Sequence, residues 1–313
     1  RVHAEAPVEY PEVGLFHPRL AGRIGEHPER LPAPAKPTGT VGVLVLRSYV
    51  LAGNTGHYDG VIASLEAKGL RVIPAFASGL DARPAIERFF VRDGVPTIDA
   101  LVSLTGFSLV GGPAYNDARA AENVLADLDV PYVAGHPVEF QTLEQWGSSE
   151  RGLLPVETTI MVAIPELDGA TGPIPFGGRA GGAGGTCEGC SRRCTFEASD
   201  RGRDMHSCVE RAGMLASRVE RLVRLRRAQR AERKVAVVLF NFPPNAGNVG
   251  TAAFLSVFES LHATLVAMRD AGYAVQPPVS ADALRERIVC GNAAQFGSVA
   301  NVHVRIPVDD HVR

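Results

Sequence analysis

The chain has 313 residues, 45% of them hydrophobic and 21% charged, with a formal net charge of −2. That length can bury a full core without disulfide staples, and the composition excludes intrinsic disorder, collagen and a global coiled coil. The near-neutral charge removes any global electrostatic case for nucleic acid, and the longest apolar runs fall far short of the ~20 residues that span a bilayer. Apart from Lys36, Lys68 and Lys234 the basic residues are arginines. A GC-rich genome explains that bias; bidentate anion recognition is the functional alternative. No signal-peptide pattern is present, which points to the cytoplasm. The chain begins at Arg1 rather than Met and reads as a piece of a longer polypeptide.

Residues 1–40 are rich in proline and read as an extended lead-in. From 41 to 170 strands and helices alternate. Strands are expected at Val41–Leu46, Leu70–Phe76, Ile98–Leu104, Val130–Ala134 and Thr159–Ile164. Helices are expected at Tyr58–Lys68, Pro84–Phe90, Asp117–Leu128 and Val138–Trp146. This alternation predicts an α/β fold, a Rossmann-like, doubly wound and mostly parallel sheet. Ligands meet such sheets in the loops after strands, here Arg47–His57, Thr105–Tyr115 and Gly135–Glu139. A Gly-rich and Cys-rich insertion over 171–209 interrupts the pattern. A basic connecting helix follows over 210–233, a solvated face or a docking face for an acidic partner. Residues 234–313 read as the start of a second α/β unit, with a strand at Val235–Phe240 and helices at Ala252–Ala271 and Ala281–Cys290.

The nucleotide-phosphate motifs fail, because no lysine stands in a P-loop context and no GxGxxG joins a strand to a helix. The cysteines are more informative. Cys187, Cys190, Cys194 and Cys208 fall close together, and four sulfurs suit zinc or a 4Fe–4S cluster. A redox or disulfide role and unliganded thiols are the alternatives, and Cys290 is expected in the core. Asn54, His57 and Asp59 follow the first strand, and His136 and Glu139 the fourth, where a switch-point site would lie. Glu166 and Asp168 suit either a hard cation or an Asp-Gly turn. The loop 241–251 sets Asn241, Asn245, Asn248 and Gly250 among two prolines and two glycines, just before a helix N-terminus. Such a loop suits an anionic group such as a carboxylate.

Several segments carry a specific resemblance: LRSYVLAGNTGHYD at 46–59, VIPAFASGLDARPAIERFF at 72–90, SLTGFSLVGGPAYND at 103–117, AIPELDGATG at 163–172 and KVAVVLFNFPPNAGNVGTAAFLSVFESL at 234–261. Shorter matches lie at 139–146 and 151–155. With these the chain resembles the large-subunit family of magnesium chelatase and aerobic cobaltochelatase, and NFPPNAGNVGTAA resembles the magnesium branch more. The resemblance implies an internal fragment of a subunit several times longer. It implies binding of protoporphyrin IX and ATP-dependent insertion of Mg²⁺, the substrate metal, in chlorophyll or bacteriochlorophyll synthesis. ATP hydrolysis then belongs to two partner subunits, one an AAA+ ATPase. The substrate-binding candidates are Asn54, His57, Asn241, Asn245, Asn248 and Gly250. Catalytic residues are not assigned, since the family's glutamate-bearing motifs lie beyond Arg313. Within the family, oxygenic versions lack the cysteine cluster and bacteriochlorophyll-making versions carry a similar one. The alternatives are the cobalt branch acting on a corrinoid, and a non-catalytic scaffold or redox-sensing region.

Overall fold

The computed structural model describes residues 9–112, 114–181, 184–187, 193–196, 204–240, 249–250, 252, 254–296, 302 and 304–311. It divides into two units, Arg1–Arg226 and Arg227–Arg313.

The first unit is built on one sheet. Its strands are β1 (Val13–Phe16), β2 (Ile24–Gly25), β3 (Gly39–Leu44), β4 (Leu70–Ala77), β5 (Ala100–Ser103), β6 (Tyr132–Val138), β7 (Ile174–Arg179) and β8 (Met205–Ser207). They lie in the order β8-β7-β6-β5-β3-β4-β1-β2. The five central strands are parallel, while β1, β2 and β8 add antiparallel at the two sides. Counting the parallel strands alone, the order is 2-1-3-4-5, that of a doubly wound sheet. The expected fold class is thus the observed one. Part of the proline-rich stretch belongs to this sheet, because β1 and β2 extend it beyond β4.

Strand side chains alternate between two cores. Val41, Val43, Val72, Val102 and Val133 face helices α2 (Gly56–Glu66) and α6 (Val209–Arg227), packing on Tyr58, Ile62, Leu215 and Val219. Leu44, Ile73, Leu101 and Tyr132 face α3 (Arg83–Phe89) and α4 (Ala118–Leu128), packing on Ile86, Phe89 and Leu128. Two further helices flank the strand ends: α1 (Arg47–Leu51) and α5 (Leu143–Ser148). Asp117 caps α4 by accepting from the Ala120 N–H, and Thr142 and Gln145 form a capping box on α5.

Several elements of this unit depart from the sequence reading, among them the helix expected at Val138–Trp146, which begins only at Leu143 because Val138 ends a strand. Thr159–Ile164, expected as a strand, lies in a helical run made of Pro155–Glu157, the π-helical Thr158–Ala163 and Ile164–Leu167. The Thr158 and Thr159 hydroxyls donate to the Leu154 and Pro155 carbonyls at 3.2 and 3.0 Å, which satisfies them inside a helix. The fifth parallel strand is instead β7, in the glycine-rich stretch expected to break the pattern. Its neighbours come so close that a Cβ at Gly177 would sit 2.3 Å from the His206 carbonyl oxygen, and one at Gly178 2.4 Å from that of Val138. The expected loop Gly135–Glu139 is mostly strand, since β6 runs to Val138. Its register slips between His136 and Pro137, where proline has no N–H to give to the ladder.

In the second unit α7 (Val257–Asp270) packs against α8 (Ala281–Cys290), whose N-cap Ser280 accepts from the Ala283 N–H. Val235–Phe240, expected as a strand, carries no regular structure, and Val238 is 91% exposed. A strand gains its order from pairing, and the described residues of this unit hold no strand to pair with it. Cys290, expected in the core, is exposed at the last residue of α8. No helix among the described residues is long and apolar enough to cross a membrane.

Candidate functional site

In the 2-1-3-4-5 order the chain switches direction across the sheet between β3 and β5, so the loops after these strands diverge and leave a crevice. A cleft of about 510 Å³ opens there. Leu46, Arg47, Ser48 and Tyr49 reach it from the segment after β3, Gly79 and Leu80 from after β4, Phe107 from after β5 and Glu139 from the end of β6. A smaller pocket of about 20 Å³, room for a single water, lies beside it against Phe76, Ser103, Thr105 and Ser108. Another groove, of about 760 Å³, runs along the outer face of α6 between Lys68, Met214, Arg218, Arg221 and Leu225. It stands away from the strand ends.

The cleft mixes apolar lining from Leu46, Leu80 and Phe107 with polar lining from Arg47, Ser48, Tyr49 and Glu139. Leu80 is exposed into solvent at its mouth, and Leu46 and Phe107 are half-buried. Tyr49 and Glu139 stand among its polar lining residues. Burial pushes the Glu139 carboxyl above the usual carboxylate range, against the opposing influence of Tyr49 and of the charge of Arg179 at the end of β7. Burial and the neighbouring carboxylate likewise hold the Tyr49 hydroxyl in its protonated form. Arg47 does not compete for Glu139. Its guanidinium donates to the Pro11 and Tyr10 carbonyls at 3.0 and 3.2 Å and pins the N-terminal segment.

Buried carboxylates fix the cleft's surroundings. Asp168, weighed above as a cation ligand or a turn residue, is buried and accepts the Leu109 N–H at 2.7 Å. It ties the end of the π-containing helical run to the loop after β5. Glu157 is fully buried and accepts from the Phe140 N–H, the Gln141 side chain and the Leu154 N–H at 3.2, 2.6 and 2.9 Å. It holds the chain just after Glu139.

The residues selected from sequence fare differently. Asn54 accepts the Met205 N–H at 2.8 Å and so links the loop before α2 to the edge strand β8. His57 is fully buried among Tyr49, Tyr58 and Phe176, with ring centroids 5.0, 3.8 and 5.8 Å away. Burial, reinforced by His206, lowers its pKa to about 3. Neither residue lines the cleft. His136 points from β6 into the protein and is held by burial at a pKa of about 4. Asp59 pairs with Arg23 at 2.5 Å. Gly250 keeps a φ of +72° that favours glycine, and its N–H donates to the Phe240 carbonyl. Asn241, Asn245 and Asn248 lie outside the described residues, as does Cys190.

Cys187 and Cys194 meet across a small hairpin of Gly185–Thr186 with Thr195–Phe196, where the Cys187 N–H donates to the Cys194 carbonyl at 2.8 Å. Cys208 stands elsewhere, its N–H bonded to the Phe176 carbonyl beside β8. Among the described residues no group of three or more His, Cys, Asp or Glu side chains is placed to hold a metal ion. Sequence reasoning missed Tyr49. The signal was its position in the first turn after a central strand, the same argument that selected Glu139.

Comparison with known proteins now adds to this geometry. The family model described as CobN/Magnesium Chelatase matches residues 1–313. A magnesium-chelatase subunit from Cereibacter sphaeroides is 55% identical over 99% of the chain, which covers 26% of that protein. The chloroplastic magnesium-chelatase subunit ChlH of Oryza sativa subsp. indica is 38% identical over 97% of the chain, covering 22% of that protein. Among solved structures, the catalytic subunit of cobaltochelatase from Mycobacterium tuberculosis superposes with a TM-score of 0.63 at 28% identity, over 86% of this chain and 20% of that one. The chain thus spans about a quarter of the length of the relatives it matches.

Proposed function

Because the chain belongs to the CobN/Magnesium Chelatase family, we propose that it is part of the porphyrin-binding subunit of a magnesium chelatase. The reaction is insertion of Mg²⁺, as substrate, into protoporphyrin IX in bacteriochlorophyll or chlorophyll synthesis. The observation that carries this reading is the 55% identity over 99% of the chain to a protein named for that activity. The cobalt-acting alternative has the weaker support of 28% identity to a cobaltochelatase subunit. ATP dependence enters through two partner subunits, one an AAA+ ATPase, in the cytoplasm.

Metal insertion needs an apolar slot for a planar macrocycle, a polar group at its nitrogens and shelter for a cation that loses water reluctantly. The switch-point cleft supports the first two requirements, with Leu46, Leu80 and Phe107 as its apolar walls and Glu139 with Tyr49 as its polar one. Separately from this cleft, and on its sequence alone, the loop 241–251 with Asn241, Asn245, Asn248 and Gly250 is proposed as a holder of carboxylate groups. Zinc or a 4Fe–4S cluster at Cys187, Cys190, Cys194 and Cys208 enters only through the sulfur-rich spacing. Metal analysis and the visible spectrum of anaerobically purified protein test that part.

The cleft is tested by titrating the full-length protein with a soluble porphyrin and following the Soret band. Leu80→Asp and Phe107→Asp are expected to weaken binding at least tenfold. Unchanged affinity in both, with folding intact, would remove the macrocycle from this cleft.

A further inference from the structure

Two cysteines outside the cleft stand directly opposite one another. In the hairpin beyond β7, Gly185 pairs with Phe196 and Thr186 with Thr195, so the next rung sets Cys187 against Cys194. The Cys187 N–H donates to the Cys194 carbonyl at 2.8 Å, which makes that rung a hydrogen-bonded pair. Such a pair holds its Cα atoms about 5.5 Å apart, inside the roughly 4.4–6.8 Å that a disulfide spans. Opposed residues project on the same face of a hairpin, so both sulfurs start on one side. Their Cβ atoms lie roughly 4.5–5.5 Å apart, against about 3.5–4.5 Å in a disulfide, so closing the bond asks for a shift of about 1 Å. A bond closed against such a shift is readily reduced again. Both residues are thiols here: Cys187 is buried, its Sγ donating to the Leu143 carbonyl of α5 at 3.6 Å, and Cys194 is partly exposed. Cys208 stands elsewhere, beside β8, and among the described residues no third metal-ligating side chain joins the pair.

We propose that Cys187 and Cys194 are a redox-responsive modification site that closes into a reversible disulfide, with a low-molecular-weight disulfide as the oxidant. The more exposed Cys194 reacts first. Its sulfur gives up a proton and attacks one sulfur of the small disulfide, whose S–S bond breaks, and one small thiol leaves with that proton. The Cys187 sulfur then attacks the Cys194 sulfur and displaces the second small thiol, which carries off the Cys187 proton. Two protein thiols are oxidised by two electrons, and one small disulfide is reduced to two thiols. Oxidation also removes the proton that Cys187 donates to the Leu143 carbonyl, so the hairpin loses one of its links to α5. Glu144 of the same helix keeps its bonds from the Gly181 N–H at 3.1 and 3.2 Å. The inference stands on the hairpin register and not on the porphyrin reading. A sulfur held in the disulfide is no longer the thiolate that a metal needs, so this site and the metal reading compete for the same atoms.

The experiment uses the full-length protein, purified anaerobically under reductant with its metal content measured, then exposed to oxidised glutathione. Peptide mapping should find one cross-link, Cys187 to Cys194, with the loss of two alkylatable thiols that dithiothreitol restores. Cys190→Ser and Cys208→Ser should each keep that cross-link. Cys187→Ser should stop at the mixed disulfide, with glutathione on Cys194. A cross-link through Cys190 or Cys208 in the parent protein would overturn the proposal, as would the absence of any cross-link with both thiols still open to alkylation. Stoichiometric metal that shields both sulfurs from the oxidant would overturn it in favour of the metal reading.

Discussion

The Asp168 carboxylate accepts the backbone N–H of Leu109 at 2.7 Å across 59 positions of sequence. One side chain thereby sets where the loop after β5 stands, and Phe107 with it. Asp168→Ala leaves that buried N–H without its acceptor, at a cost of about 1–3 kcal/mol. Denaturant unfolding should register the loss, and porphyrin affinity should weaken more than in a surface variant of equal stability. A variant with parental affinity would separate Asp168 from the cleft.

Glu157 gathers three donors in a fully buried place. Glu157→Ala strands all three, and about 3 kcal/mol or more of destabilisation is expected from buried unmade hydrogen bonds. Glu157→Gln keeps an acceptor oxygen and should fall between the two. Comparison of the three proteins in urea tests the order, and equal midpoints would refute it.

His57 and His136 fold in their neutral forms, with pKa values near 3 and 4 against an ordinary 6.5. The unfolded chain therefore binds more protons between those values and pH 6.5. Stability is complete above about pH 6.5 and falls as the pH drops toward 4 and then 3. His57→Phe keeps a ring beside Tyr58 and Phe176 and removes the titration. Its midpoint should change less between pH 7 and pH 5 than the parent's. An identical slope would mean that another group governs the acid limb.

Gly177→Ala and Gly178→Ala test the close approach of β7 to its neighbours. The added methyl meets the His206 carbonyl oxygen in the first and the Val138 carbonyl oxygen in the second. Each should cost about 1–3 kcal/mol through forced backbone displacement. Amide exchange in β8 should accelerate more for Gly177→Ala. Silence in both variants would show that the strands can part without penalty.

The parallel core was legible because its strands are short valine- and leucine-rich runs buried on both faces, as β3 and β4 are. β7 was hidden because its glycines answer to the backbones beside them, which no residue pattern records. Thr158–Ala163 misled in the other direction, since its threonines satisfy their hydroxyls within a helix and β-branching is a weak prior. The site divides the same way. Glu139 could be reached by position after a strand, whereas the engagement of Asn54 with β8 and the stacking of His57 on Phe176 depend on contacts distant in sequence.

Arg179 and Met205 are paired across β7 and β8, and the Ala180 N–H donates to the Asp204 carbonyl at 3.1 Å. The whole cysteine-bearing segment therefore departs from and returns to adjacent points of one ladder. Closing a loop between fixed ends costs only about 0.6 kcal/mol per doubling of its length. The segment can therefore change in length while the five parallel strands and the crevice beside them keep their register.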